Sequence, residues 1–296
     1  MNLEMYRRIL AGEALTFVLS ARARWRLTGP DAQRYLNGQV TNDVTKLTDR
    51  QGCYAAVCTA KGRMEGDIFI ARCGADYYLD AAAVLHDSLG ARLEKYLIAD
   101  DAAFEDVGDL WSLSHVFGTT PPELETGFVV EHARFGLPGH DVWVPSSGAV
   151  VVGDSIASDV VETLRLAQGV PIWGAELTFN TLPPEAGPYL LNAISYTKGC
   201  YVGQETIARL KSVGHVNRTL VFLRSESETW AAPESKLMQD DREVGVITSS
   251  GFSPRLERGV ALGYVQRALA NEGTLLEAGG LKWTVAAPFS SEQPIS

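Results

Sequence analysis

No run of about 18 apolar residues occurs anywhere in the sequence, so a membrane-spanning helix is not expected. The opening segment "MNLEMYRRILAGEALTFVLS" has no signal-type apolar stretch either, because acids and arginines interrupt its first turns. The chain is expected to be soluble, unexported and cytoplasmic. Cysteine is scarce: Cys53, Cys58, Cys73 and Cys200 form no CxxC pair, which suits a reducing cytoplasm rather than a disulfide framework. Cys53 and Cys58, in "CYAAVC", would face opposite sides of a strand and read as small buried hydrophobes. His86, His115, His132, His140 and His215 show no HxxxH or HExxH spacing, so a zinc site has no support. Positive charge is also in short supply. Lysine and arginine number 26 against 36 acids, a formal charge of −10, which argues against a broad nucleic-acid surface but leaves room for one local basic patch.

What is present reads as a globular chain. Of 296 residues, 46% are hydrophobic and 21% charged, enough to bury a core and to divide into two or three domains. "TGPDAQRYLNGQVTNDV" predicts a short helix, with Pro30 in its first turn, Ala32, Tyr35 and Leu36 on one face, and Gly38 as its stop. "GDIFIARC" and "DYYLDAAAV" flank a Gly-Ala-Asp turn and predict a hairpin; Leu85, Leu89, Leu93 and Tyr96 then recur at helical spacing. A second set follows. "GFVVEHARFG", "DVWVP" and "GAVVVGD" predict short strands, and "SIASDVVETLRLAQG" a helix with Ser155 or Ser158 near its start and Gly169 at its stop. The recurring α+β pattern suggests a duplicated half. From about Gly214, "RTLVFLRSE", "REVGVITSSG", "VALGYVQR", "TLLEAGG" and "LKWTVAAPF" predict five strands and a small barrel or sandwich, with the boundary near residues 212–218.

The chemistry concentrates in "YTKGCYVGQETIARL", residues 196–210. Gly199 and Gly203 bracket Cys200, Tyr201 and Val202, so the backbone can turn tightly and approach a ligand. "GQETIARLK" then opens a helix with Gln204 and Glu205 in its first turn, where the dipole favours an acid. A cysteine just ahead of a helix N-terminus, with Lys198 nearby, stands where a thiolate is favoured; the competing reading is a small buried hydrophobe in an ordinary turn. Lys198, Arg209, Lys211 and Arg218 against Glu205 alone make residues 196–218 a basic island, suited to an anionic ligand such as a polyglutamyl tail or a phosphate backbone.

This stretch resembles the signature K-G-C-[FY]-x-G-Q-E-x-x-A-R of the YgfZ family of folate-binding, iron–sulfur-assembly proteins. Lys198, Gly199, Cys200, Tyr201, Gly203, Gln204, Glu205, Ala208 and Arg209 stand at its fixed positions. "LTGPDAQRYLNGQVTNDV", "AKGRM", "GVPIWGAEL…LPPEAG" and "VGVITSSGFSPRLERGVALGYV" are similar to further segments of that family, so nearly the whole chain is covered. A more distant likeness reaches the T-protein aminomethyltransferase of glycine cleavage. The resemblance implies an α+β fold with a central channel for tetrahydrofolate: two ferredoxin-like lobes over residues 1–213, the second completed by the N-terminal segment, and a small β-barrel over 214–296. It implies that Cys200, assisted by Lys198, acts as a thiolate that ligates a transient iron–sulfur cluster. One thiolate cannot hold such a cluster alone, so the cluster would be shared with glutathione, a partner or a second subunit.

Gly199, Tyr201, Gly203, Gln204, Glu205 and Arg209, with Trp173 and Trp25, are then the expected folate contacts. Asp67 is either a catalytic residue facing the channel or an exposed acid at a strand start. Two departures stand out. The aminomethyltransferases carry an R-[LI]-E-A-G run whose acid contacts the pterin, and here it reads Arg165, Leu166, Ala167, Gln168, Gly169; their paired acids near the first hairpin are reduced to Gly66 and Asp67. The implied function is a folate-binding accessory role in assembly or maintenance of iron–sulfur proteins, not that of a classical enzyme. The alternatives are a folate-dependent one-carbon transferase or an accessory factor in tRNA modification. Expected partners are folate and iron–sulfur client or assembly proteins, with no membrane and no broad nucleic-acid surface.

Overall fold

The computed structural model describes residues 2–148, 152–212 and 214–288. Helix α1 (Leu3–Leu10) and strand β1 (Thr16–Val18) come first. They are followed by β2 (Arg22–Thr28), α2 (Ala32–Gln39), β3 (Gly52–Cys58), β4 (Met64–Cys73), β5 (Asp76–Ala82), α3 (His86–Lys95) and β6 (Ala103–Asp106). Strands β2 to β6 form one sheet in the order β3-β4-β5-β2-β6. Period-two alternation divides its side chains. Trp25 and Leu27 of β2, Ile68 and Ile70 of β4 and Leu79 of β5 enter a core with Leu36 of α2 and Leu89 of α3. Residues of the opposite parity, Arg22, Tyr54, Asp67, Phe69 and Asp80, line the other face.

Gly66 belongs to the helix-facing set. A Cβ there would come within 2.9 Å of a Leu89 methyl and 3.1 Å of a Leu85 methyl. An acid at 66 would enter the helix-facing core, not the polar face that carries Asp67. Gly66→Ala is expected to cost about 1–3 kcal/mol by overpacking, read from urea unfolding.

Helix α2 starts after Pro30, with Asp31 at its N-cap position, and runs through Gly38 to Gln39. Gly38 therefore does not stop it. The helix ends where Val40 turns extended, at φ −120° and ψ 157°, and bridges Val57.

The second lobe contains β7 (Trp111–Phe117), β8 (Phe128–Glu131), β9 (Gly139–Pro145) and helix α4 (Ser158–Ala167). Its sheet runs β1-β7-β9-β8, and α1 and α4 pack against it through Tyr6, Ile9, Val160 and Leu164. In "GAVVVGD", residues 149–151 lie outside the described residues, and residues 152–154 carry no strand. Gly169, at φ +69°, follows the end of α4 as expected of a helix stop.

Helices α5 (Gly187–Leu191) and α6 (Gln204–Ser212) lead to β10 (Arg218–Ser225), β11 (Lys236–Gln239), β12 (Arg242–Ser253), β13 (Arg258–Gln266), β14 (Leu275–Ala278) and β15 (Leu281–Ala286). These six close into a barrel in the order β10-β13-β12-β11-β14-β15. Patterning gives five of them. The sixth, β11, has no β-branched residue in its Lys-Leu-Met-Gln and is defined by pairing with β12 and β14. Glu176 ties the barrel to the lobes. Its buried carboxylate accepts hydrogen bonds from Thr248 Oγ1 (2.9 Å), Ser249 Oγ (2.5 Å), Arg165 (3.2 Å) and the Ile172 N–H (3.0 Å). Among the described residues no helix is long and apolar enough to cross a membrane.

Candidate functional site

The polar face of the first sheet meets residues 170–173 and α5 at a cavity lined in part by Arg22, Tyr54, Asp67, Arg134, Trp173 and Tyr189. Asp67 is buried and lines this cavity, so it is not an exposed acid at a strand start. The Tyr54 hydroxyl donates to its Oδ2 at 2.9 Å, while Oδ1 has no partner. Burial pushes the Asp67 pKa up, and the positive charge of Arg22 pulls against it. Trp173 stands half-buried at the rim, edge-on to Phe179 at 5.1 Å between ring centroids. The water-accessible volume is ≈ 70 Å³. That is below the roughly 150 Å³ of a cavity that encloses a benzene ring, so the hollow does not enclose a planar heterocycle whole.

Beside the cavity a buried ionic cluster joins the two sheets. Arg134 donates to Asp80 on β5 at 3.0 and 2.7 Å and to both carboxylate oxygens of Asp141 on β9. Its guanidinium carbon lies 3.7 Å from the centre of the Phe69 ring. Asp141 also accepts from His115 Nδ1 at 2.8 Å and His132 Nδ1 at 2.5 Å. Strand register makes the first contact, because His115 and Asp141 are direct partners on β7 and β9. An ionised carboxylate only accepts, so both imidazoles carry their proton on Nδ1, and both Nε2 atoms are buried without a partner. Burial alone would raise the Asp141 pKa. Arg134 and the two histidines outweigh it and hold the carboxyl well below the usual range. Burial pushes the His115 pKa down, against the pull of Asp141.

Motif spacing gives no hint of this cluster. The signal that carries it is alternation. In "SLSHVF" and "GHDVWVP" the histidine and aspartate share parity with Leu113, Phe117 and Trp143, which places them on an apolar, inward face.

The Cys200 stretch lies elsewhere, against the turn between β3 and β4. Gly203 has φ +90°, and a Cβ on it would stand 2.6 Å from Thr59 O and 3.3 Å from Gly62 Cα, so this approach needs glycine. Ile207 of α6 and Tyr201 are buried with Cys58 and Met64. Cys200 is exposed and does not line the cavity.

Lys198, expected to assist that thiol, has its ammonium engaged by backbone carbonyls. Its Nζ is buried and donates to the carbonyls of Asn37 (2.7 Å), Val40 (2.8 Å) and Asn42 (2.5 Å). These cluster at the C-terminal end of α2, where helix carbonyls lack partners and a cation is favoured. Burial pushes its pKa down to about 8, with Asp43 acting the other way. The three acceptors engage all three N–H bonds of an ammonium.

Trp25 is sealed in the first core, stacked on His86 at 6.0 Å and Phe104 at 5.9 Å, because its parity on β2 turns it toward the helices. Neither Trp25 nor Tyr201 lines the cavity. Gly199, Glu205 and Arg209 are exposed, and Gln204 Nε2 lies 3.5 Å from Gly199 O. Of the expected folate contacts, Trp173 alone joins Asp67 at the cavity. Ala167 is buried at the end of α4. Arg218 pairs with Glu185 at 3.1 Å, so with Lys198 buried the basic island keeps Arg209 and Lys211 as its exposed cations.

Two family models match the chain: the GCVT N-terminal domain over residues 12–127, and the glycine cleavage T-protein C-terminal barrel domain over residues 218–293. A tRNA-modifying protein YgfZ from Cronobacter sakazakii is 29% identical over 271 residues, covering 81% of this chain and 82% of that protein. These matches support a YgfZ family protein related to the aminomethyltransferases. An aminomethyltransferase from Desulfitobacterium hafniense is 27% identical over 298 residues, covering 88% of this chain and 81% of the relative. The crystal structure of the glycine cleavage system aminomethyltransferase T from Bartonella henselae superposes with a TM-score of 0.81 at 19% identity. That match covers 98% of this chain and 91% of that one, and it shows that this chain has the aminomethyltransferase fold.

Proposed function

We propose that the chain binds a reduced folate at the cavity between its lobes and works as an accessory factor in tRNA modification and in maintaining iron–sulfur proteins. Residues 1–213 would supply the folate site and 214–296 the supporting barrel. The observation that carries the folate reading is the Asp67 carboxylate oxygen, buried at the cavity and unpartnered, with Trp173 at the rim. A group in that position is costly unless a donor reaches it, and the N–H edge of a pteridine is such a donor. The cysteines do not suit a resident cluster, since Cys200 is exposed, Cys58 is buried, Cys53 and Cys73 are half-buried, and the described residues bring no three metal-ligating side chains together. The thiol would act by exchange, or by sharing ligation with a partner.

The test is equilibrium titration with tetrahydrofolate, paired with assays of iron–sulfur enzymes in cells carrying each variant. Asp67→Asn is expected to weaken folate binding by about ten-fold or more, the loss of one charge-assisted hydrogen bond. Cys200→Ser should leave binding intact and lower the enzyme activities. Wild-type affinity in Asp67→Asn would sink the folate site, and unchanged enzyme activities in Cys200→Ser would sink the thiol's role. One-carbon transfer is the second reading, favoured by Asp67 alone. Formation of methylene-tetrahydrofolate from an aminomethyl carrier, lost in Asp67→Asn and kept in Cys200→Ser, would replace the accessory role with it.

A further inference from the structure

Two short cationic segments, far apart in sequence, meet where the β3–β4 turn packs on α6. Gly62, at the tip of the β3–β4 turn, abuts α6 so closely that a Cβ on it would stand 3.0 Å from Thr206. The turn carries exposed Lys61 and Arg63, and α6 carries exposed Arg209 and Lys211. Within residues 59–64 and 204–212 these four cations face one acid, the exposed Glu205, in a chain of net charge −10. The Arg63 guanidinium donates to Asn180 O, beside Phe179. Phe179 is 56% exposed, and its ring is held edge-on by Trp173.

A cluster of cations near an exposed aromatic ring suits an unpaired polynucleotide: cations meet the phosphates while the ring stacks a base. We propose that this face, the 61–63 turn with α6 and Phe179, binds a single-stranded segment of RNA. The inference rests on the tRNA-modification part of the reading above for its partner and is independent of the folate part. The exposed ring favours RNA over a polyglutamyl chain, which has no base to stack.

The experiment is fluorescence anisotropy of a labelled RNA hairpin with an unpaired loop, set against the same stem as a blunt duplex, across about 50–200 mM salt. Wild-type protein should prefer the loop, with a log–log salt slope near −3, about −0.7 for each of four phosphates. Lys61→Glu with Arg63→Glu, and Arg209→Glu with Lys211→Glu, should each weaken binding at least about ten-fold and flatten the slope by about 1.4. Phe179→Ala should weaken loop binding about ten-fold and leave duplex binding alone. Lys282→Glu, an exposed change on β15, should have no effect.

All variants are compared by circular dichroism and thermal melting, since the substituted side chains are exposed. Asp67→Asn and Cys200→Ser should bind RNA normally, so failure of the folate or thiol reading is seen separately. The proposal is overturned if the hairpin does not bind, if Lys282→Glu weakens binding as much as the patch variants do, or if a polyglutamate peptide of matched charge competes as well as the loop. That last result would reassign the face to a folate tail.

Discussion

Arg134→Ala is expected to destabilise the fold by about 3–5 kcal/mol in urea titrations at neutral pH, because it strips the cation from two buried carboxylates. The loss falls unevenly. Asp80 keeps a second partner in Arg22 at 2.5 Å, whereas Asp141 is left with His115 and His132. His115 can compensate only by taking up a proton, which burial opposes, so the deficit should be largest at neutral pH and above and shrink toward acid pH.

The wild type itself weakens toward acid pH. The His115 pKa is pushed below its unfolded value of about 6.5 by burial, so the unfolded chain binds the proton first and stability declines as pH falls below about 6.5. The depressed Asp141 carboxyl adds a second loss. Its contribution is complete above the unfolded value near 4 and disappears as pH drops through the lower folded value. Convergence of wild-type and variant stability toward acid pH identifies the cluster; a pH-independent difference would mean that Arg134 acts through packing on Phe69 alone.

Lys198→Met should cost about 3 kcal/mol, since it leaves three carbonyls at the end of α2 without their donor. Lys198→Arg should recover little, because a planar fork cannot direct three N–H bonds at three converging oxygens. The measurement that separates this from a role in thiol chemistry is the alkylation rate of Cys200 in folded protein, which should be the same in Lys198→Met and wild type. A slowed rate would restore the lysine to the thiol's service.

These two residues also mark where sequence reading succeeded and where it stopped. The hairpin of β4 and β5, the helix opening after Gly203 and most of the barrel strands were visible in alternation, glycine placement and turn residues, all of which are local. Asp67 was visible as a candidate, but its side of the strand was settled only by the register of β3 with β4, which sets Asp67 opposite Ala56 on the Tyr54 face. Lys198 stands two residues from Cys200 in sequence, yet its ammonium is used 156–161 residues away. Proximity along the chain says nothing about which way a turn throws a long side chain. His115, His132 and Asp141 had no motif because their meeting is made by β7–β9 pairing and a loop after β8. Only their parity with neighbouring apolar residues hinted at it.

The Glu176 clasp has a mechanical corollary. One carboxylate grips Thr248 and Ser249 of the barrel and the backbone of Ile172, the residue just before Trp173. The indole at the cavity mouth and the wall of the barrel therefore turn on a common pivot. Loss of that carboxylate would loosen the mouth of the hollow and the cylinder wall together.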